Sequence, residues 1–271
     1  MCPRRRRWLL GHDTVLRMPY NEVLMTCVVE TKQDGRVLRV CLNRPAQRNT
    51  LTMTLCKELV QVFDRAQRDA SVGSILLTGM GDSFCAGMEI NEAARGDVES
   101  ISRVQETLFT IGARLTKPLI GAVQGVALGS GMGLVANCHV AIADENATFG
   151  LTGIRFGLWP FVIFPSVSAA VGQRRALALT MTGEVINAAE ALRIGLVHQL
   201  VPIGEAERRA LDVAQTVASY SVNAMHSGLG FAREIQAQPC QAAAGIGSRI
   251  REQYLKSAEF QAELSAFLSR K

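Results

Sequence analysis

The sequence predicts an α/β domain with parallel strands, followed by a helical C-terminal region. Three observations lead to this fold class. Short apolar runs of strand length alternate with helical periodicity as far as Pro160, which is typical of a layered α/β unit. Beyond Pro160 the periodicity is almost entirely helical. The 271-residue chain is 48% apolar and 20% charged, so it can bury a large core and needs no disulfide or metal to fold.

The predicted strands are short apolar runs bounded by Gly, Pro or Asn. They cover residues 37–42, 74–78, 119–123 and 140–143, with an extended piece at 148–149 and a last strand at 197–201. Thr52 is expected to cap a helix that runs to about residue 69, because apolar residues recur there at helical spacing. Further helices are predicted at 101–115, after the turn at 125–131 as far as about 138, at 163–171, 174–182 and 188–194, with three or four amphipathic helices after them.

The net charge of +5 is mostly a property of the N-terminal arm. Residues 1–24 hold five arginines, including Arg4–Arg7, and two acidic residues, so they carry +3 and the remainder only +2. No nucleic-acid footprint is therefore expected on the domain. The arm is expected to be a disordered extension, with Met18 or Met25 as the working start, and a targeting peptide of the mitochondrial type stays open. No apolar run reaches the roughly 18 residues of a membrane span.

Cysteine usage predicts neither disulfides nor zinc. None of the seven cysteines forms a C-x-x-C pair, and the four histidines lie far apart in sequence. Most of the cysteines stand in apolar stretches, where a thiol behaves as a small hydrophobe. We therefore expect a reducing, cytoplasmic type of compartment.

Two glycine-rich loops stand out, at residues 82–90 and 125–133, each directly after a predicted buried strand. Glycine lets backbone N–H groups approach a ligand oxygen closely. Two N–H groups from separate loops would form an oxyanion hole, which stabilises a developing enolate. The same glycines could equally serve only the packing of strand against helix, and spacing alone leaves both readings open.

Phosphate-binding and nucleophile motifs fit these loops poorly. The second loop lacks the third glycine of G-x-G-x-x-G, and no G-x-x-x-x-G-K-[ST] occurs. Ser130 lacks the G-x-S-x-G context of an esterase nucleophile, and no histidine is placed by the sequence to serve it.

Several segments resemble the crotonase (enoyl-CoA hydratase/isomerase) superfamily, over residues 25 to 271. They occur in the order and at the spacing of that family. The segments are residues 42–45 with Asn49, 84–90, 117–125, 127–131, 149–150, 157–160, 179–183, 188–191 and 195–197. The stretch from residue 133 to 160 looks closest to the methylglutaconyl-CoA hydratase-like branch.

The resemblance implies an α/β fold with a ββα spiral core over residues 25–203 and a helical trimerisation layer over 204–271. It implies homotrimers or hexamers, an acyl-CoA thioester as substrate, and no cofactor beyond its CoA moiety. The N–H groups of Met88 and Ser130 would hold the thioester oxygen. Nucleic acid and membrane are not expected as partners. The CoA end would be held by a set of loop residues and one C-terminal arginine: Arg44, Ala46, Arg48, Cys85, Ala86 and Arg270.

The chain departs from the family at its two catalytic glutamates, whose positions fall on Gly133 and Gly153. Neither glycine can transfer a proton, and the position at which some isomerases carry an aspartate is Phe161. General acid–base help is typically worth 10²–10⁴-fold, so the oxyanion hole alone would give a slow hydratase. Leu151 replaces the glutamine that precedes Thr-Gly in the bicarbonate-recruiting naphthoate-synthase branch.

Other polar residues of the sequence could replace the acids. Glu89 is expected to hold its loop, while Glu92, Asp97 and His139 are weaker candidates for catalysis. Three functions stay open: an acyl-CoA enzyme with an unconventional base or an assisting water, a non-catalytic acyl-CoA-binding protein, and a structural module that binds no CoA.

Overall fold

The computed structural model describes residues 27–95 and 97–269. The arm at 1–24, residues 25–26 of the expected core and Arg270 lie outside the described residues. Nine strands are found within the described part: β1 Val29–Asp34, β2 Val37–Leu42, β3 Ser74–Gly79, β4 Leu119–Val123, β5 Val126–Leu128, β6 Val140–Asp144, β7 Thr148–Gly150, β8 Val185–Asn187 and β9 Gln199–Val201.

Twelve α-helices are found in the same residues, and two 3₁₀ helices at Pro45–Gln47 and Thr152–Phe156 accompany them. The α-helices are α1 Met53–Arg68, α2 Ile90–Arg95, α3 Val98–Phe109, α4 Ile111–Arg114, α5 Ser130–Ala136, α6 Phe164–Val171, α7 Gln173–Thr182, α8 Ala188–Arg193, α9 Ala206–Ala218, α10 Val222–Glu234, α11 Cys240–Leu255 and α12 Ala258–Leu268. The predicted helix at 101–115 is divided at Thr110, which separates α3 from α4.

The main sheet has six strands in the order β1-β2-β3-β4-β6-β9. All neighbours after the β1–β2 hairpin are parallel. A second sheet of three strands, β5-β7-β8, stands beside it. Parallel strands must be covered on both faces, and this requirement explains their apolar runs: every residue of β3 and β4 is buried. The predicted α/β fold class is therefore confirmed.

One face of the main sheet is covered by α1 and its neighbours. Thr52 caps α1 as predicted, since its Oγ1 accepts from the N–H of Leu55 at 3.1 Å. The buried face of α1 includes Leu59 and Phe63, both fully buried in the larger core cluster. The cap fixes where the helix begins, and the apolar face fixes how it packs.

The other face is covered by α9, through alanines spaced four residues apart. Ala206, Ala210, Ala214 and Ala218 are all buried and join the smaller core cluster. Alanine lets the helix backbone approach the sheet closely, and Ser74 Oγ donates to the carbonyl of Ala214 at 2.8 Å. This contact is one reason why a small hydroxyl residue begins β3.

Two histidines open parallel strands by the same device. The backbone N–H of His139 donates to the carbonyl of Leu119 at 2.8 Å, and the ring Nδ1 of His139 accepts from the backbone N–H of Leu119 at 2.9 Å. His198 repeats this arrangement with Ala141, at 2.8 and 3.0 Å. Each ring nitrogen therefore satisfies a backbone donor at the start of a strand.

The last three helices, α10 to α12, contain no buried residue. Among the described residues, Arg233 reaches from α10 to the carbonyls of Ala113 and Arg114 at 2.9 and 3.3 Å. No helix in the described residues is long and apolar enough to cross a membrane.

Candidate functional site

The two glycine-rich loops lie side by side, although they are about forty residues apart in the chain. An isolated parallel bridge pairs Cys85 with Ala127. In this bridge the N–H of Cys85 donates to Val126 at 2.9 Å, and the carbonyl of Cys85 accepts from Leu128 at 3.0 Å. The first loop thus pairs with β5 in the way that a short parallel strand would.

A second bridge orients the N–H of Met88. Leu51 donates to the carbonyl of Gly87 at 2.8 Å and accepts from the N–H of Glu89 at 3.0 Å. In such a parallel bridge the middle residue directs its own N–H and C=O away from the partner strand. Met88 therefore points its N–H away from Leu51. Gly87, with φ +117, makes this change of direction possible because it has no Cβ.

Ser130 is the first residue of α5 and follows Gly129, whose φ is +51. The N–H of Gly129 donates to Gly150 at 2.8 Å, which ties the start of the helix to β7. The first N–H groups of a helix have no partner inside it. Ser130 therefore presents a backbone donor at the end of the second loop.

The two backbone segments are in close contact at this point. A Cβ built on Gly129 would lie 3.9 Å from Cα of Gly87, and one built on Gly87 would lie 3.3 Å from the carbonyl oxygen of Leu128. Within the described residues, neither the N–H of Met88 nor that of Ser130 has a hydrogen-bond acceptor. The two loops that carry these unpaired donors are thus in contact, while the joint action of the two N–H groups as an oxyanion hole stays a prediction.

The residues predicted to hold the CoA end fall on neighbouring loops. Ala46 and Arg48 are exposed, Arg44 and Ala86 are half-buried, and Ala86 donates to the carbonyl of Arg48 at 2.9 Å. Arg44 uses its guanidinium on Thr50, at 3.0 Å from the hydroxyl. These four residues form one connected rim, whose role in CoA binding stays a prediction.

The contact predicted for Cys85 needs correction. Its exposed fraction is 0%, and both its N–H and its carbonyl are used in the bridge to β5. Burial raises the pKa of the Cys85 thiol to about 12. Cys85 therefore supports the loop from beneath and has no accessible atom for a ligand.

Asn49 holds the two loops of this rim together, a role that sequence reasoning missed although the residue belongs to the quoted motif. It is fully buried. Its Nδ2 donates to the carbonyls of Met80 and Ser83 at 2.9 and 2.8 Å, and its Oδ1 accepts from the N–H of Arg44 at 2.8 Å. Its φ of +55 is one that asparagine adopts more readily than most residues.

Gly133 lies three residues after Ser130 on α5, and therefore on the same side of the helix. A Cβ at Gly133 would lie 2.7 Å from Cγ2 of Ile163 and 3.3 Å from Cδ1 of Phe109. Both neighbours are buried. Apolar side chains thus occupy the space that a carboxylate at residue 133 would need.

Gly153 lies in the 3₁₀ helix after β7 and is half-buried. A Cβ there would lie 2.8 Å from the carbonyl oxygen of Leu158, and the N–H of Leu158 donates to Gly153 at 3.0 Å. The tight turn leaves no room for a side chain without movement. Neither residue 133 nor residue 153 therefore has room for a carboxylate side chain without movement of its neighbours.

The carboxylates considered as replacements are engaged in holding the loops. Glu92 Oε2 accepts from the N–H of Met53, at the start of α1, at 2.6 Å. Glu89 accepts from the hydroxyl of Thr50 at 3.2 Å. Asp97 caps α3 through Ser100 at 3.2 Å. Each carboxylate has a structural task near the loop.

A small cavity of about 10 Å³, enough for roughly one water molecule, lies beside Met88 and is lined by Glu92 and Cys56. Gln105 Nε2 lies 3.0 Å from the Met88 sulfur. Burial, together with the nearby Cys85 and Glu92, raises the pKa of the Cys56 thiol to about 12. This thiol is therefore not a nucleophile at neutral pH.

His139 is not part of the site, because its ring opens β6. Ser130 and Thr152 carry hydroxyls near the two loops, and Thr152 lies two residues after Gly150, whose carbonyl accepts from the N–H of Gly129. Within residues 27–95 and 97–269, neither hydroxyl has a hydrogen-bond partner in the protein. No group of three His, Cys, Asp or Glu side chains suited to a metal ion is found in the same residues.

Comparison with known proteins agrees with this architecture. The family model described as enoyl-CoA hydratase/isomerase matches residues 32–271. The chain is 35% identical over 227 residues to the enoyl-CoA hydratase EchA19 of Mycobacterium tuberculosis, covering 80% of this chain and 84% of that protein. It is 33% identical over 240 residues to the 2,3-dehydroadipyl-CoA hydratase of Escherichia coli, covering 87% and 93%.

A solved structure shows the same fold. The crystal structure of an enoyl-CoA hydratase from Mycobacterium smegmatis superposes with a TM-score of 0.85 at 25% identity, covering 91% of this chain and 98% of that one. The overall α/β fold with its helical C-terminal region is therefore shared with this solved hydratase.

Proposed function

Because the chain belongs to the enoyl-CoA hydratase/isomerase family, we propose that it binds an acyl-CoA thioester and stabilises its enolate between the N–H groups of Met88 and Ser130. One observation carries this proposal: both N–H groups lack an acceptor in the described residues, and their backbone segments are in contact. A thioester oxygen accepting from both would gain the charge stabilisation that such a pair supplies, which is typically several kcal/mol.

The rim of Arg44, Ala46, Arg48 and Ala86 would hold the CoA end of the substrate. An arginine is a suitable partner for a phosphate group, and Arg48 is exposed on this rim. Arg270 is proposed for the same purpose. Among the branches of the family, the methylglutaconyl-CoA hydratase-like one is proposed as the nearest, from the pattern between residues 133 and 160.

The absence of both glutamates limits the chemistry that we propose. The apolar contacts around Gly133 and the tight turn at Gly153 support a site without the usual acid and base. Hydration of an enoyl thioester would then depend on the two N–H groups and on water held near them. General acid–base help is worth 10²–10⁴-fold, so we expect slow hydration.

A second candidate, a non-catalytic acyl-CoA-binding protein, is favoured by the same two glycines. It would keep the oxyanion site for recognition of the thioester carbonyl and would catalyse nothing. As a third candidate, the chain would form the enolate of a thioester by a reaction that needs no protein base.

We also propose that copies of the chain associate as a trimer or hexamer through the C-terminal helices. Support comes from α10, α11 and α12, which have no buried residue in the single chain. Helices of this length are marginal in water without tertiary packing. Mass measurement in solution by light scattering tests this part independently of any activity.

The central experiment combines binding with turnover. Calorimetric titration with acetoacetyl-CoA measures recognition, and steady-state assays with crotonyl-, methylglutaconyl- and 3-enoyl-CoA measure chemistry. We expect binding together with slow or no hydration. Hydration at ordinary hydratase rates would contradict our reading of the missing acids, and failure to bind any CoA thioester would contradict the proposal as a whole.

The variant Gly153→Glu tests the missing acid directly. Hydratase activity that appears in Gly153→Glu and is absent from the wild type would support loss of the acid as the reason for low hydration. Because a Cβ at this position meets the carbonyl of Leu158 at 2.8 Å, the variant's fold must be checked by circular dichroism. Gly153→Gln is its matched control, since it has the same size without the carboxylate.

A further inference from the structure

The direction of the Met88 N–H is set by the peptide unit to which it belongs. A trans peptide unit is planar, and its N–H and C=O point in opposite directions. The N–H of Met88 shares its unit with the carbonyl of Gly87, which accepts from the N–H of Leu51 at 2.8 Å. Leu51 is buried, so this hydrogen bond is shielded from water. A group that fixes the N–H of Leu51 therefore also aims the N–H of Met88.

The guanidinium of Arg44 fixes that N–H from the other end of its peptide unit. The N–H of Leu51 shares a unit with the carbonyl of Thr50, and this carbonyl accepts from Nη1 of Arg44. The same Nη1 lies 3.0 Å from the Thr50 hydroxyl, which donates to Glu89, the residue after Met88, at 3.2 Å. Two planar peptide units thus connect Arg44 with the Met88 donor, and a side-chain bridge runs beside them.

Arg44 supplies a positive charge at the start of this chain of hydrogen bonds. It is half-buried, and no ion pair within the described part of the chain includes it. Hydrogen bonds in a chain polarise one another, and a charged donor makes the first of them stronger. The cation draws electron density from the Thr50 carbonyl, which makes the N–H of Leu51 a better donor to Gly87. The N–H of Met88 then becomes a better donor to an oxygen that gains negative charge.

The thiol of Cys85, three residues before Met88, also responds to the charge of Arg44. Burial is the largest influence on the pKa of this thiol and raises it, whereas the charge of Arg44 lowers it. The second donor is supported differently: the carbonyl of Gly129, in the same peptide unit as the N–H of Ser130, accepts a hydrogen bond within α5. Met88 precedes α2 and has no helix of its own, so the polarisation of its N–H depends on Arg44.

We propose that Arg44 is a positioning residue for the Met88 N–H, which it aims and polarises through the peptide units that join Thr50 to Leu51 and Gly87 to Met88. This inference rests on the proposed function, because it concerns the same thioester oxygen. Arg44 touches neither that oxygen nor the reacting carbons, since its guanidinium is engaged with Thr50. The task is additional to the place of Arg44 on the rim that is proposed for the CoA end.

The test compares Arg44→Met, which removes both the charge and the donor, with Arg44→Lys, which keeps the charge. Acetoacetyl-CoA is the probe, because the ultraviolet absorption of its enolate reports how well the bound thioester oxygen is stabilised. In Arg44→Met the pKa for enolate formation of the bound probe should rise by about one pH unit, a tenfold loss of stabilisation. This loss is smaller than the 10²–10³-fold for a missing donor, since the N–H of Met88 stays. Arg44→Lys should restore most of it.

Two controls separate this role from a general effect on the loop. Free CoA lacks the carbonyl and is titrated beside acetoacetyl-CoA, so any contribution of Arg44 to holding the CoA end cancels in the ratio of the two affinities. Arg39→Met removes another half-buried arginine, which pairs with Glu207 on α9, and should keep the wild-type pKa of the bound probe. Circular dichroism checks each fold, and Arg44→Gln takes the place of Arg44→Met if that variant is unfolded.

Four results would overturn the inference. An unchanged pKa of the bound probe in Arg44→Met would do so and would leave the proposed function standing. Equal losses of affinity for free CoA and acetoacetyl-CoA would mean that Arg44 only shapes the loop. A loss in Arg44→Lys as large as that in Arg44→Met would show that the charge is not needed. If the wild type binds no CoA thioester, the proposed function fails and the inference falls with it.

Discussion

Replacing Ser130 by proline removes one backbone donor from the proposed oxyanion site together with the side-chain hydroxyl, so Ser130→Ala, which keeps the N–H, is measured beside it. Proline is well tolerated at the first position of a helix, because the N–H that it lacks is unpaired there in any case. Ser130 occupies this position in α5, and its N–H has no acceptor in the described residues. The preceding Gly129 has no Cβ to clash with the proline ring. The substitution therefore removes the donor with little effect on the fold.

The expected loss follows from the number of donors. Two N–H groups share the enolate oxygen in our proposal, and removal of one donor from such a site typically costs 10²–10³-fold in rate, about 2.7–4 kcal/mol. Free CoA lacks the thioester carbonyl, so its affinity should be unchanged in Ser130→Pro. The affinity for acetoacetyl-CoA should fall, because this ligand carries the carbonyl.

The assay measures kcat/KM for the thioester that the wild type converts fastest, together with calorimetric affinities for free CoA and acetoacetyl-CoA. Gln173→Pro is carried through the same measurements to account for a general effect of proline at a helix start, because Gln173 is the exposed first residue of α7 and likewise follows a glycine with a positive φ. A rate for Ser130→Pro within threefold of the wild type would refute the oxyanion role of Ser130. Equal losses for free CoA and acetoacetyl-CoA would point to disruption of the fold instead.

Three further predictions concern stability and reactivity. Asn49→Ala should lower the free energy of unfolding by about 3 kcal/mol, since it removes three buried hydrogen bonds. Asn49→Gly should lower it by about 1 kcal/mol less, because glycine adopts the φ of +55 at this position more easily than alanine. Equal losses for the two variants in urea titrations would contradict this backbone argument. Burial lowers the pKa of His139 below its usual 6.5, so the unfolded chain takes up a proton first as the pH falls. Stability should therefore decline below about pH 6.5, by at most about 1.4 kcal/mol per pH unit, and His139→Asn should flatten urea midpoints measured between pH 7.5 and 5; an unchanged slope would argue against it. Among the described cysteines, the exposed Cys240 should react first with a thiol reagent at neutral pH, and Cys85 should react only on unfolding. Peptide mapping identifies the labelled cysteines. Early labelling of Cys85 would mean that the loop at residues 82–90 opens in the folded protein.

The sequence alone determined the elements whose pattern is strong. The strands at 37–42 and 119–123 have the predicted bounds, because apolar runs between turn residues leave few alternatives. It did not predict β1 or β8. In β1 only Val29 is buried, and in β8 only Ile186 is buried. Such strands are decided by their neighbours in the sheet, which a local pattern does not contain.

Motifs at fixed spacing also indicated the two loops and the family, since these depend on residue identity, while the loss of the two glutamates stays a prediction. Only the tertiary structure decided which backbone atoms meet. The bridge between Cys85 and Ala127 joins segments about forty residues apart, and Gly87, with φ +117, approaches Gly129 closely. The same packing buries Cys85 and closes the space at Gly133. Contacts of this kind depend on the whole fold, because side-chain volume and backbone direction at one residue are set by residues distant in the chain.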